Sequence, residues 1–102
     1  MDSFYNNAGR YTSVSYRIIH TPEFDEQILK LFNKSQRIIL YKKMGELREF
    51  PESVGKSLRY DLAGIYQFYF LHRYRILYHI DFEKKEVWMI SAMHKKDAER
   101  QY

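Results

Sequence analysis

The sequence predicts a two-layer α+β domain in which an N-terminal strand and a helical hairpin pack on a mostly antiparallel sheet. Two observations predict this fold class: apolar residues recur at helical spacing between positions 22 and 50, and three short β-rich segments follow between positions 65 and 93. A small sheet must bury one face, and the helical hairpin is the only predicted element that can cover it. The other face is expected to be partly open and to offer a place for a site.

The first predicted elements are a short strand and a helix. Residues 15–20 (SYRIIH) are rich in β-branched and aromatic side chains, which favours a strand. Thr21 is the expected N-cap of the helix and Pro22 suits its first position. Acidic residues at positions 23, 25 and 26 complement the helix dipole, and apolar residues at 24, 28, 31 and 32 repeat at helical spacing.

A second helix is predicted to follow directly. Residues 33–35 (NKS) offer a stop and a new N-cap, after which Leu40, Met44 and Leu47 repeat as i, i+4 and i+7. Proline disfavours helical backbone at the residue before it, so this helix is expected to end at Phe50–Pro51. The two helices therefore form a hairpin.

Strands dominate the second half of the chain. Residues 51–64 contain Pro51 and two glycines and are interpreted as a connection. Strands are predicted over Ile65–Leu71, Tyr74–Asp81 and Glu86–Met93, and the short connections between them make antiparallel hairpins the simplest topology. The polar tail 94–102 is too short to establish a helix, although residues 97–100 permit one turn.

Length and composition restrict the class of protein. The 102 residues suit one domain, predicted over 15–102, with residues 1–14 as a flexible leader. The absence of cysteine excludes disulfides, thiolate catalysis and the common Cys-based zinc sites. No apolar run approaches the roughly 18 residues of a membrane span, and no signal peptide is recognised, so a soluble cytoplasmic protein is expected. The net charge of +4, mainly from residues 53–102, favours an anionic partner.

Four segments in order resemble the RelE/ParE toxin superfamily of type II toxin–antitoxin systems. They are residues 62–66 (LAGIY), 74–78 (YRILY), 87–90 (VWMI) and the pair His94–Lys95. In that family the first segment opens a three-stranded meander, the second forms its middle strand, and the last strand ends in a basic pair. The preceding strand and helical hairpin match as well, so the resemblance covers roughly residues 15–102 and implies a RelE-like fold.

The resemblance implies a ribosome-dependent endoribonuclease that cuts mRNA without a metal or other cofactor. In such a reaction a base removes the 2′-OH proton, the oxygen attacks the adjacent phosphate, and cations stabilise the developing charge. Arg75 matches the arginine that faces the scissile phosphate, and Lys95 falls where the family has a second arginine. His94 can accept or release a proton near neutral pH. Tyr102 matches a C-terminal tyrosine that acts near the ribose, although the family's spacing also admits position 99.

Further residues are predicted to bind RNA. RelE-like enzymes carry cations at alternate positions of the first meander strand, where this chain has Gln67 and Tyr69. Gln67 can donate a hydrogen bond, and Tyr69 can stack on a base or carry a proton, but neither supplies a permanent charge. The predicted cationic contacts to RNA are Lys56, Arg59, Arg73 and Lys96.

The alternatives are ordinary structural roles for these residues, or a different functional class for the protein. A single surface cation is more often a solvated group, a strand-end histidine is as often structural, and terminal disorder is the alternative interpretation of Tyr102. The two missing cations also fit a ParE-like toxin that inhibits DNA gyrase, or a toxin-fold protein that only binds a partner. The implied partners are a cognate antitoxin, in a toxin–antitoxin hetero-oligomer, together with the ribosome and mRNA. No metal site is predicted and no membrane is implied.

Overall fold

A computed structural model describes residues 15–58 and 64–97. The helices are α1 (Pro22–Leu31), α2 (Lys34–Gly45) and the single turn α3 (Pro51–Val54), with a 3-10 turn at Glu46–Arg48. The strands are β1 (Arg17–His20), β2 (Lys56–Ser57), β3 (Ile65–Phe70), β4 (Tyr74–Asp81) and β5 (Glu86–His94). They form one five-stranded sheet in the order β1-β5-β4-β3-β2, in which β1 is parallel to β5 and the other pairs are antiparallel.

The predicted α+β class and element order are confirmed, and the element boundaries differ by a few residues. The first strand begins at Arg17, and the second helix ends at Gly45 and continues as the 3-10 turn. The strand predicted over Ile65–Leu71 ends at Phe70, because Leu71 and His72 adopt positive φ angles of 52° and 62° that close the hairpin. The last strand extends one residue further, to His94.

The connection 51–64 contains two short elements that the sequence did not predict. Pro51 begins the single turn α3, and Lys56 and Ser57 pair with Gln67 and Tyr66 as the edge strand β2. Gly55 makes this pairing possible, because a Cβ atom at this position would lie 2.4 Å from the Gln67 carbonyl oxygen. A strand of two residues is too short to show alternation in the sequence.

Both long helices begin with the side-chain caps that the sequence indicates. The Thr21 hydroxyl accepts a hydrogen bond from the Phe24 N–H at 3.2 Å and donates to the Met89 carbonyl at 2.9 Å. The start of α1 is thereby tied to β5. At α2 the N-cap is Asn33, whose side chain and that of Gln36 each accept from the other's backbone N–H in a capping box.

The core lies between the helical hairpin and one face of the sheet. It is formed by side chains of α1, α2 and the 3-10 turn together with alternate residues of β3, β4 and β5. Its members are Phe24, Ile28, Phe32, Leu40, Met44, Leu47, Phe68, Phe70, Ile76, Tyr78, Ile80, Val87, Met89 and Ala92. The predicted two-layer arrangement follows from this burial.

Among the core residues named above, Tyr78 alone has a hydroxyl, and that hydroxyl has a partner. It donates to the Pro51 carbonyl at 2.7 Å, which links the centre of β4 to α3. Burial raises the pKa of Tyr78 to about 12, because the anion would lose its hydration inside the core. The side chain therefore stays neutral as a hydrogen-bond donor at physiological pH.

A β-bulge interrupts the alternation of β5. Leu77 pairs with Ser91 and Tyr78 with Met89, so Ile90 is left without a partner on β4. The Thr21 hydroxyl lies 3.3 Å from the Ile90 carbonyl, and the Gln27 side chain accepts from the Ala92 N–H at 2.7 Å. The bulge places Ala92 in the core and Ser91 on the opposite face.

None of the helices in the described ranges is long and apolar enough to cross a membrane.

Candidate functional site

The sheet face turned away from the helices carries the residues that alternate with the core. Cross-strand partners project from the same side of a sheet, so the pairing identifies this face. Tyr69 pairs with Arg75 and Arg75 with Met93, while Gln67 pairs with Lys56 and Leu77. We call it the open face, and it is formed by Arg17, Ile19, Lys56, Ile65, Gln67, Tyr69, Arg75, Leu77, His79, Asp81, Glu86, Trp88, Ser91 and Met93.

Arg75 is the least exposed of the Lys and Arg side chains in the described part of this face. Its guanidinium carbon lies 5.4 Å from the centre of the Tyr69 ring, within the range of a cation–π contact. The side chain is half-buried, and its Nε atom is buried without a hydrogen-bond partner among the described residues. A buried guanidinium N–H that lacks an acceptor favours an anionic ligand, since such a ligand would satisfy it.

Gln67 and Lys56 extend the polar part of the open face towards the β2 edge. Gln67 lies one strand from Arg75 on β3, two residues from Tyr69, and is half-buried. Lys56 is exposed on β2 and pairs with Gln67. The lysine therefore supplies a positive charge beside the position where the sequence lacks one, and only the short strand β2 brings it there.

His94 lies on the helix side of the sheet, away from Arg75. It pairs with Tyr74, and the two rings make an edge contact at 5.5 Å between their centres. Its Nδ1 accepts a hydrogen bond from the Lys96 N–H at 3.1 Å. The ring lines a cavity of about 450 Å³ between α1 and β5, together with Gln27 and Asp97. The described geometry thus does not bring His94 and Arg75 together.

Lys95 is placed at the Arg75 end of the sheet. Its backbone N–H donates to the Arg73 carbonyl at 2.7 Å, so the start of the helical segment 95–97 is attached to the β3–β4 turn. Arg73, Lys95 and Lys96 are all exposed. Three cations thus surround this end of the sheet, within a few residues of Arg75. Arg59 and Tyr102, which the sequence also predicts as site residues, lie outside the described residues.

The opposite end of the open face holds residues that the sequence reasoning did not connect with a site. Trp88 pairs with His79, which lies four residues from Arg75 on β4 and therefore on the same face. The His79 Nδ1 donates to the Gly64 carbonyl at 2.8 Å. The sequence does contain a signal for the position of His79: it lies four residues after Arg75 in the same predicted strand, and an even spacing within a strand keeps two side chains on one face.

Two further observations concern possible metal ligands and a second cavity. No group of three His, Asp or Glu side chains within 15–58 and 64–97 is arranged to hold a metal ion. A cavity of about 530 Å³ lies between α2 and α3, where Lys42, Glu46 and Phe50 are among its lining residues. It contains none of the predicted site residues and lies on the helical side of the molecule.

A search of solved structures gives matches over most of the chain. The crystal structure of the RelBE2 toxin–antitoxin complex from Mycobacterium tuberculosis matches with 30% identity and a TM-score of 0.68, covering 80% of this chain and 100% of that chain. A mutant of the Escherichia coli toxin RelE in the free state matches with 25% identity and a TM-score of 0.69, covering 83% and 88%. The isolated E. coli RelE toxin, with 20% identity, a TM-score of 0.64 and coverage of 86% and 100%, shares the fold. No family model and no curated protein sequence matches the chain.

The fold and the open face define a small α+β domain that holds a cation over an aromatic ring on the sheet face turned away from the helices. The structural matches identify the family, because the M. tuberculosis chain is covered over its whole length at 30% identity. The chain belongs to the RelE-like toxin superfamily. Its similarity to RelE toxins supports a role as the toxin of a toxin–antitoxin system.

Proposed function

We propose that this chain is a ribosome-dependent endoribonuclease that cleaves mRNA without a metal ion. The observation that carries the proposal is Arg75, which is half-buried on the open face, is packed over Tyr69 and has an Nε atom with no partner among the described residues. A fixed guanidinium with a free donor suits the negative charge that develops on a phosphate during transfer. The family relationship favours RNA as the source of that phosphate.

The proposed chemistry needs a charge stabiliser and two proton transfers. A base takes the 2′-OH proton, the oxygen bonds to phosphorus, and the bond to the 5′ oxygen breaks as an acid protonates that oxygen, leaving a cyclic phosphate and a 5′-hydroxyl. Arg75 stabilises the phosphate, and Lys56 adds a second positive charge on the same face. Lys95 remains the proposed second catalytic cation and Tyr102 the proposed group near the ribose, and Gln67, Arg73 and Lys96 remain the proposed RNA contacts.

A cognate antitoxin is the proposed protein partner, in a cytoplasmic hetero-oligomer. Solved neighbours include the intact E. coli RelBE complex and RelE with a RelB peptide. In this chain α2 has four Lys or Arg residues and no acidic residue, and its exposed side includes Ile38, Ile39 and Tyr41. A basic surface with exposed apolar side chains fits an acidic amphipathic segment.

Primer-extension mapping of a defined mRNA in a translation reaction, with and without ribosomes, tests the proposal. We expect ribosome-dependent cuts by the wild type and a loss of about a hundredfold or more in Arg75→Ala, as for removal of a group that stabilises transition-state charge. Arg48→Ala is the matched control, because Arg48 is an exposed arginine on the helical side. Intact mRNA with folded wild-type protein would contradict the proposal, and gyrase-dependent DNA damage would replace it with the ParE-like alternative.

A further inference from the structure

The indole ring of Trp88 is held in a fixed orientation on the open face. Its Nε1 donates to one carboxylate oxygen of Glu86 at 3.2 Å, and Arg17 donates to the other oxygen. Glu86 is only 7% exposed, so the acceptor of the indole is itself enclosed by its two partners. Trp88 is 37% exposed. Because its donor is already occupied, the part of the ring that remains available is its apolar surface.

Trp88 and Arg75 lie on the same face of the sheet, with the buried pair Leu77 and Ser91 between them. Trp88 pairs with His79, which lies four positions after Arg75 along β4. This spacing corresponds to about 13 Å along a strand. Tyr69, 52% exposed, lies at the Arg75 end of the same face. The open face thus carries two exposed aromatic rings, with Arg75 beside one of them and Lys56 at its edge.

The charges around Trp88 are mixed, because Arg17 offsets the charge of Glu86 whereas Asp81 keeps its negative charge at the end of the strand. The Glu86 carboxylate is paired with Arg17, and the Asp81 carboxylate accepts the backbone N–H groups of Glu83 and Lys84 at 3.1 and 3.0 Å. Exposed aromatic rings on a surface with cations that bind phosphates are the arrangement by which proteins bind single-stranded nucleic acids, since each base offers a π-face to a ring.

We propose that Trp88 is a stacking platform for an unpaired base of the single-stranded RNA whose phosphate lies at Arg75. The base would lie a few nucleotides from that phosphate along the strand. This inference rests on the proposed RNA substrate and adds a binding subsite to it. Glu86 and Arg17 are positioning residues, because they hold the ring and do not contact the base.

Tryptophan fluorescence tests the proposal directly, because Trp88 is the only tryptophan among the 102 residues. The probe is a single-stranded 2′-O-methyl RNA, which has no free 2′-OH to attack, compared with the same strand made abasic. Saturable quenching by the first strand and little by the abasic strand is the expected result. Equal quenching by both strands, or none by either at concentrations up to millimolar, overturns the proposal. A change of emission on dilution without RNA also overturns it, since a second copy would then cover the ring.

Variants give an independent measurement in the full chain. Anisotropy of the labelled 2′-O-methyl strand should show a loss of affinity of roughly tenfold in Trp88→Ala and near wild-type affinity in Trp88→Phe, which keeps a ring. Phe82→Ala is the control, because Phe82 is exposed in the neighbouring turn. Wild-type affinity in Trp88→Ala overturns the platform. Quenching without mRNA cleavage would overturn the proposed ribonuclease activity and support Trp88 as a stacking platform. Cleavage without quenching would support the ribonuclease activity and overturn the stacking platform.

Discussion

Tyr69 lies beneath the guanidinium of Arg75, with 5.4 Å between the ring centre and the guanidinium carbon, and the two residues are direct partners in the pairing of β3 with β4. The contact restricts the arginine without using any of its N–H donors. Within residues 15–58 and 64–97 the Nε donor of Arg75 has no acceptor, whereas a carboxylate partner would have occupied some of the guanidinium donors. Tyr69 acts as a positioning residue in this arrangement.

Substitution of Tyr69 tests this role. Tyr69→Ala should lower the rate of ribosome-dependent mRNA cleavage by roughly twofold to thirtyfold, the range expected for loss of a cation–π contact. Tyr69→Phe keeps the ring beneath Arg75 and should cleave at close to the wild-type rate. Single-turnover cleavage of ribosome-bound mRNA measures both rates. If the cleavage rate falls equally in both variants, the phenol group carries a proton in the reaction.

His94 is expected to act through packing, because it lies on the helix side of the sheet against Tyr74. His94→Phe keeps an aromatic ring there and should retain wild-type cleavage. His94→Ala should lower the free energy of unfolding by about 1 kcal/mol, through loss of an aromatic pair, and leave the cleavage rate of the folded protein unchanged. Urea denaturation and single-turnover assays separate the two effects. A loss of about a hundredfold in His94→Phe would instead establish general acid–base catalysis by the imidazole.

Two glycines give a matched pair for testing the packing of β2. Gly55→Ala should lower the free energy of unfolding by about 1–3 kcal/mol, because the new Cβ would lie 2.4 Å from the Gln67 carbonyl and 2.6 Å from the Tyr78 hydroxyl. Gly45→Ala should raise it by about 0.5–1 kcal/mol, since Gly45 is helical and a Cβ there meets nothing within 4 Å. Equal effects of the two substitutions in urea denaturation would contradict the close approach at Gly55.

Tyr78 makes stability depend on pH in the alkaline range. The unfolded chain ionises this tyrosine near its ordinary pKa of 10, while burial raises the pKa of folded Tyr78 to about 12. The folded state therefore binds more protons between these values, and stability falls as pH rises through that window. Tyr78→Phe should be less stable than the wild type by about 1–2 kcal/mol below pH 10, because the Pro51 carbonyl loses its donor.

Above pH 10 the difference between wild type and Tyr78→Phe should shrink, since only the wild type can ionise this side chain on unfolding. Urea denaturation at pH 8, 9, 10 and 11 measures the difference under matched conditions. The remaining tyrosines are common to both proteins, so their ionisation cancels in the comparison. A difference that stays constant up to pH 11 would show that Tyr78 is not buried as the structure has it.

Local signals were enough to predict the two long helices, and alternation was enough to place part of the site. Thr21 and Asn33 occupy caps next to periodic apolar residues, and both are caps in the structure. Even spacing along β3 puts Gln67 and Tyr69 on one face, and pairing with β4 adds Arg75. These inferences need only residues close in sequence, or a hairpin.

The sequence could not show what depends on contacts between distant residues. Lys56 joins the open face only because Gly55 lets β2 approach β3, and two residues carry no periodic signal. The face of His94 depends on the bulge at Ile90, which reverses the alternation of β5 after Met89. Strict alternation from Trp88 would have placed His94 on the open face beside Arg75. The bonds of Thr21 and Gln27 to β5, which accompany the bulge, come from residues more than 60 positions away.

The bulge also determines where the length of β5 can change. β5 has one residue more than its pairing with β4 uses, and this residue is Ile90. A chain shortened by this one residue would still pair Met93 with Arg75 and His94 with Tyr74, and every later side chain would keep its side of the sheet. Loss or gain of one residue elsewhere in the regular parts of β5 would exchange core and surface side chains. Tolerance to deletion in this strand is therefore confined to a single position.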